Sequence, residues 1–425
     1  MAQRWKIFTV LALMFMLGFF YRVSMAVASQ DLTAELGLTA GQLGVLSGIF
    51  FYVFAVAQIP LGPLLDRFGG RRVIALLGVA TGCGSFVFAL APGYHAALAG
   101  RMLLGIGTAS VLMGSLKIFT NWFTPQEFPT VSGFMVAVGN LGNVTATAPL
   151  ALAISRFGWR NTFLAASLVQ IILTMTVYLV VRDSPAARLK ISPVPADNAG
   201  RPDIGTLQAW RMIFTTPAFW FVSLIAFFWY ANYMVLLALW GGPYLIESVG
   251  LTRAQTGNIL LCTSVGFITG SLLLGKIVTR LFGTLRKTIL AGQTLLLIAM
   301  TVMLGPAETC SRPLLAAVFF IIGLSSSSGV IIYPLSRDMV PHDLAATAMT
   351  CVNFFLLMGA AMMQNIMGVY IGSFTRTSAG YPPEAYHGAF LIPICGLAGT
   401  LVLFALARGG SAFNQTEQQG KTHAG

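Results

Sequence analysis

An all-α polytopic membrane protein, with twelve transmembrane helices in two pseudo-symmetric six-helix bundles, is the fold class this sequence predicts, on three observations. The 425 residues are 56% hydrophobic and only 9% charged, with a mean hydropathy of +0.80, which excludes a soluble globule. Apolar runs of about 20 residues, the length that crosses a hydrocarbon core of about 30 Å, recur along the whole chain. A charged, glycine-bearing turn at Gly62 partly returns 213 positions later at Gly275, about half the chain away. The apolar runs do not alternate with polar residues, so a transmembrane barrel is excluded.

The first half holds the spans Ile7–Ala28, Leu43–Leu65, Val73–Leu90, Ala97–Phe119, Thr130–Ala153 and Asn161–Val181. The first follows Arg4-Trp5-Lys6 and carries a full charge, Arg22, within Gly18-Phe19-Phe20-Tyr21-Arg22. It is too long for the apolar core of a signal peptide and is expected to be retained as a helix. The turn after it, Ser29–Gln42, has Asp31 and Glu35 and no base. Between the second and third spans lies Gly62-Pro-Leu-Leu-Asp66-Arg67-Phe68-Gly69-Gly70-Arg71-Arg72, whose glycines permit a tight reversal. The third span is rich in small residues (Gly78, Gly82, Gly84), which suits close helix contact. The fourth opens with Arg101-Met-Leu-Leu-Gly105-Ile-Gly107 and ends in Lys117-Ile-Phe-Thr-Asn121-Trp122-Phe123. The fifth carries Gly139-Asn140-Leu-Gly142-Asn143, small or amide residues able to hydrogen-bond across a cavity.

The stretch Arg182–Thr216 is polar, basic and proline-bearing, and reads as a linker. Six further spans follow: Phe219–Trp240, Thr256–Val278, Thr288–Leu304, Pro313–Tyr333, Ala345–Ile371 and Ala389–Ala407. The expected organisation is therefore a bundle over 1–181, a linker over 182–216, a second bundle over 217–407 and a tail over 408–425. In the second copy of the turn, Thr279 stands where Asp66 stands in the first. The loop Ser336-Arg337-Asp338 with Pro341, His342 and Asp343 echoes the Pro125–Glu127 loop.

A net charge of +12 could suggest nucleic acid, but its distribution argues against that. An even number of spans puts both termini on one side, and most of the 25 Lys and Arg fall on that side. This is the positive-inside bias of an inner-membrane protein with cytoplasmic termini. The cysteines at 83, 262, 310, 351 and 395 show neither metal-ligand nor disulfide spacing. The histidines at 95, 342, 387 and 423 lie in loops or the tail with no nucleophile beside them, so no catalytic constellation is present and an enzyme is not expected. No cofactor or metal is implied, and a monomer is expected.

Ionisable groups within spans are expensive and are functional candidates. Arg22, Arg101 and Lys117 are the deep charges, and no Asp, Glu or His lies well inside a span. Arg22 sits about 9 Å from the external end of the first span at 1.5 Å per residue. A guanidinium there can grip a carboxylate or phosphate with two parallel hydrogen bonds, or snorkel outward. Lys117 either lines a cavity or snorkels to the inner interface.

The spacing Gly62-x-x-x-Asp66-Arg67-x-Gly69-x-Arg71-Arg72 closely resembles the loop signature of the major facilitator superfamily of transporters. Arg101, Gly105 and Gly107 are similar to a second signature of that family. The resemblance covers essentially the whole chain and is sharpest in the N-terminal half. It implies two bundles that alternate access to a central site. Asp66 would clamp a helix of the opposite half in the outward-open state, and Gly62, Arg67, Gly69, Arg71, Arg72 and Arg101 would share in gating. Tyr21-Arg22, and Lys117 ahead of Trp122-Phe123, resemble the anion:cation symporters, and Arg22 also resembles the organophosphate antiporters. Departures narrow the choice. The seventh span has no arginine, so the two-arginine phosphate clamp is missing, and the fifth lacks the Gly-Pro motif of drug antiporters.

The resemblance thus implies uptake of a small organic anion, such as a carboxylate, sugar acid or phosphate ester. Arg22 and Lys117 would contact it, with Tyr52, Asn140, Trp229, Asn232, Tyr233, Tyr333, Asn353 and Gln364 on cavity-lining helices. A drug-efflux carrier and a non-transporting receptor of the same fold are the alternatives. With no acid in mid-membrane, coupling would fall to Asp31, Glu127 or Glu247, to the substrate's own charge, or to exchange.

Overall fold

Helices take up nearly all of the described residues in the computed structural model, which describes residues 2–124, 126–185, 206–340, 344–377 and 380–406. They fall into two units, Met1–Asp203 and Ile204–Gly425. Eleven helices among the described residues are long and apolar enough to cross a membrane. The helix Phe128–Thr145 overlaps the fifth expected span.

The first unit contains α1 (Ala2–Val23), α2 (Ala40–Phe68), α3 (Gly70–Ala89), α4 (Tyr94–Trp122) and α5 (Phe128–Thr145). The continuous stretch Ala148–Val180 is broken at Gly158, whose φ of 75° and ψ of 160° are not helical. Its first turns extend α5 beyond the irregular Ala146 and Thr147, and residues 159–180 form α6. The second unit contains α7 (Pro217–Glu247), α8 (Arg253–Phe282), α9 (Leu285–Leu304), α10 (Arg312–Asp338), α11 (Ala345–Gly372) and α12 (Pro383–Leu406).

Helix starts show a duplication in local chemistry. Gly37 (φ 63°) is followed by Thr39, whose hydroxyl accepts the Gln42 amide N–H while the Gln42 side chain accepts the Thr39 N–H. The same reciprocal cap recurs 213 positions on, with Gly250 (φ 75°), Thr252 and Gln255. Each cap satisfies two N–H groups that a helix start leaves without partners. The glycine supplies the left-handed turn that the preceding chain needs.

Packing repeats as well. In the first unit α1 packs on α5 and α2 on α4; in the second, α7 packs on α11 and α8 on α10. Close approach decides which residues sit at these contacts. A Cβ on Gly323 of α10 would lie 1.9 Å from the Thr263 carbonyl oxygen of α8, so only glycine fits there.

Three expectations change at the level of elements. The first span ends at Val23, and Ser24 leads into a separate helix, Met25–Leu36, where a turn was expected from Ser29. Met25 to Ser29 and Leu32 are buried, and the helix persists until Gly37, whose left-handed backbone ends it. Within the expected linker, Thr206–Phe214 is helical. Residues 186–205 of that linker, the tail 408–425, Pro125, and Pro341, His342 and Asp343 of the second-half loop lie outside the described residues.

Candidate functional site

Gly69 organises the turn between α2 and α3. Its φ of +81° is in the region that favours glycine, and a Cβ there would stand 2.7 Å from the Asp183 carboxylate. The turn presents the Arg71 N–H to Asp183 Oδ1 at 2.9 Å. The Arg71 guanidinium lies over the Tyr178 ring at 4.8 Å, and its Nε donates to the Tyr178 carbonyl at 2.9 Å. From the end of α4, the Asn121 amide donates to the Asp183 carbonyl (3.0 Å) and the Trp122 indole N–H to the Arg182 carbonyl (2.7 Å). Lys117, one turn earlier, donates to the Leu65 carbonyl at 2.9 Å and pairs with the Asp66 carboxylate. The ends of α2, α4 and α6 and the start of α3 are thereby tied together. Asp66 is largely exposed, so its ion pair alone contributes at most about 1 kcal/mol, and the network depends more on Asp183. Arg67 rests over the Phe68 ring at 5.3 Å, while Gly62 and Arg72 are exposed.

Sequence reasoning missed Asp183, Tyr178 and Asn121. Asp183 falls within the expected linker 182–216. Its position directly after the last apolar residues of α6 is the signal that distinguishes it.

The two arginines within the spans have different surroundings. Arg101 is fully buried on α4; its Nη1 donates to the Tyr21 carbonyl (2.8 Å) and its Nε to the Leu46 carbonyl (3.2 Å). Phe50 covers it at 4.9 Å. It therefore fastens α4 to α1 and α2. Arg22, on α1, is half-buried, with its guanidinium 4.6 Å from the Phe19 ring centroid and 5.1 Å from that of Phe54. Lys117 lies 16 residues beyond Arg101 on the same helix, about 24 Å along its axis. It is therefore at the opposite end of the unit from Arg101 and the Tyr21 carbonyl.

Some of the polar candidates elsewhere are engaged, whereas Trp229 Nε1 and the Tyr233 hydroxyl are buried with no hydrogen-bond partner among the described residues. Tyr52 is half-buried on α2. Asn140 donates to the Val136 carbonyl (3.0 Å) and accepts from Asn143 (3.3 Å). In the second unit the Asn232 amide joins α7 to α12, donating to the Pro393 carbonyl at 2.8 Å. Tyr333 donates to Asn353 at 2.9 Å, joining α10 to α11. The Gln364 main-chain carbonyl accepts the Trp240 indole N–H at 3.1 Å, while its buried side-chain amide has no hydrogen-bond partner among the described residues. Tyr233 is buried and stacks on Phe267 at 5.1 Å. Trp229 is buried where Gly329 has no Cβ to block its ring.

The peripheral acids are also held. Glu35 pairs with Arg160 at 2.6 Å, and hydrogen bonds from Arg160 and then Trp159 hold its carboxyl below the usual range. Glu127 pairs with Arg4 at 3.0 Å, and the Thr124 backbone N–H is the main cause of its lowered pKa. Asp31 is half-buried on Met25–Leu36. Among the described residues no group of three or more His, Cys, Asp or Glu could hold a metal ion.

The family model described as Major Facilitator Superfamily matches residues 10–356. A probable sulfoacetate transporter of Cupriavidus necator is 26% identical over 285 residues, 66% of this chain and 66% of its own length. The match thus leaves about a third of that relative uncovered. A hexuronate transporter of Bacillus subtilis is 24% identical over 401 residues, 90% of this chain and 88% of its own. Among solved structures, a bacterial homolog of the human lysosomal transporter Spinster, inward-facing and occupied, superposes with a TM-score of 0.75. That match covers 99% of this chain and 98% of the other at 17% identity, a likeness of fold.

Proposed function

The chain belongs to the major facilitator superfamily, a family of membrane transporters and not of enzymes, and from that premise we propose that it carries a small organic anion across the inner membrane by alternating access. The substrate class is a carboxylate, sugar acid or phosphate ester, with Arg22 as its main charged contact. The observation that carries this reading is the setting of Arg22 between Phe19 and Phe54. Aromatic faces attract a guanidinium through their quadrupole, and the planar shape of the group suits a carboxylate, which it can grip bidentately. The relatives support it, because the compounds in their names, sulfoacetate and hexuronate, are organic anions.

The remaining assignments are part of the same proposal. Six-helix bundles span 1–181 and 217–407, both termini are cytoplasmic, and the carrier is a monomer coupled to protons or to exchange. Gly62, Asp66, Arg67, Gly69, Arg71, Arg72 and Arg101 serve gating. Lys117 joins them, because its contacts with Asp66 and Leu65 support a role at that turn more than one at the substrate. Tyr52, Asn140, Trp229, Asn232, Tyr233, Tyr333, Asn353 and Gln364 shape the neutral part of the site.

A thermal-shift screen of organic acids and phosphate esters on the purified protein tests the substrate class, followed by uptake into proteoliposomes. Stabilisation and accumulation of at least one anion are expected. Stabilisation only by cationic or neutral drugs would overturn the reading, and so would anion binding without any transport.

A further inference from the structure

Where α7 ends and α12 begins, the second unit holds a cluster of titratable groups that the proposed site does not use. Glu247 closes α7 with its side chain only 8% exposed. Its carboxylate accepts the Tyr386 hydroxyl at 2.6 Å and the Tyr381 N–H at 3.0 Å, and Arg376 lies at 3.7 Å. This clasp fastens the chain ahead of α12, and α12 itself, to the end of α7. The residue after Tyr386 is His387, whose Nε2 is 2.7 Å from Glu308 Oε1 in the loop after α9. About a quarter of each of these two side chains is exposed, so solvent protons reach them. Tyr244, one turn before Glu247, packs its ring against Tyr386 (5.8 Å) and His387 (6.4 Å), bridging the two contacts. Cys310 from the loop side and Glu384 on the first turn of α12 complete the neighbouring titratable groups.

The first unit has a comparable clasp in Glu35 with Arg160 and Trp159. Its base is an arginine, which stays charged at every physiological pH. The second unit differs by placing an imidazole beside its clasp, and imidazole is the side chain whose charge changes between about pH 5 and 8.

We infer that Glu308 and His387 form a proton-binding site, and that its occupancy sets how firmly the Glu247 clasp holds α12. The inference gives the proposed carrier a site of pH control, and to that extent rests on that reading. A solvent proton taken up by the imidazole leaves both ring nitrogens protonated and the ring positive. Its Nε2–H then donates to the Glu308 carboxylate with full opposite charges on the two partners, which adds a Coulomb attraction that the neutral ring lacks. The first turn of α12 carries both His387 and Tyr386, so pinning His387 keeps the Tyr386 hydroxyl on Glu247. Loss of the proton weakens the pin, and the clasp opens more often.

The test is hydrogen exchange at the Tyr381 amide, which is protected by its bond to Glu247, in full-length protein without substrate. With rates corrected for the intrinsic pH dependence of exchange, protection should be about fivefold greater at pH 6 than at pH 8. His387→Gln should erase that ratio, and Glu308→Gln should do the same with the histidine intact. Equal protection at the two pH values in the unmodified protein would overturn the inference, as would a ratio that survives either substitution in a folded variant. The pH profile of uptake should flatten in His387→Gln. Because exchange is read without substrate, a failure of the organic-anion assignment leaves this result standing, and the converse also holds.

Discussion

Arg22 and Arg101 carry the same guanidinium group inside the first unit and are assigned different roles by what surrounds them. Two backbone carbonyls and the Phe50 ring hold Arg101 in a fully buried position. Arg101→Gln should therefore lower the melting temperature by several degrees, because hydrogen bonds to a charged group each contribute about 1.5–3 kcal/mol. Thermal unfolding in detergent measures it; an unchanged temperature would remove Arg101 from the role of fastener. Arg22 sits between aromatic faces and should tolerate substitution without loss of folding. Arg22→Lys keeps the charge but not the planar fork, so affinity for a carboxylate should fall while expression stays normal. Equal affinities would show that a point charge suffices. At Glu35 the depressed carboxyl pKa makes a stabilising contribution that is present above the usual carboxylate range near 4.3 and is lost as pH falls through the lowered folded value. Glu35→Gln should lower the melting temperature at pH 7, and the difference should vanish as pH drops below the carboxylate range. A pH-independent difference would assign the effect to packing.

The turn between α2 and α3 shows how far an element can be read from its residues. Gly69, Asp66 and Arg71 stand out by spacing alone, and the left-handed backbone at Gly69 is what such a spacing requires. Spacing could not supply the partners. Asp183 lies 112 positions from Arg71, and a contact that distant is set by packing of α3 on α6. Lys117 was ambiguous for the same reason, since only the folded position of Asp66 decides where its ammonium goes. A turn is expected from Ser29, where Asp31 and Glu35 follow, but the chain stays helical to Leu36 with Ser29 and Leu32 buried. Because Lys117 and Asp66 form one contact, their substitutions should not add. Asp66→Asn and Lys117→Gln should each raise the inward-open population, and the double variant should raise it no further. Labelling of an engineered cysteine accessible only in that state reports the populations. Additive effects would separate the two residues. Gly69→Ala should be the more disruptive change, since its Cβ would meet the Asp183 carboxylate.

Over the whole molecule, the 213-residue offset joins sequence to architecture. It was legible in Gly62 and Gly275, and the paired caps at Thr39 and Thr252 repeat it in hydrogen bonds. The second half has replaced Asp66 with Thr279, whose hydroxyl donates to the Gly275 carbonyl at 3.0 Å. The turn networks of the two units have therefore diverged while the helix pattern has not. Twelve spans were legible because a hydrocarbon core demands continuous apolar length. The polar partners within each unit were not, because Asn232 to Pro393 and Tyr333 to Asn353 are contacts between helices distant or antiparallel in the chain. An organic anion held by Arg22 is the centre of the proposed transport cycle. Its most direct test is the affinity and uptake of a stabilising organic acid by the unmodified protein and by Arg22→Gln, side by side in proteoliposomes at one pH. Removing a charge-assisted pair should weaken binding on the order of tenfold or more and nearly abolish uptake. A folded Arg22→Gln protein that binds and carries the same anion with unchanged affinity would contradict it.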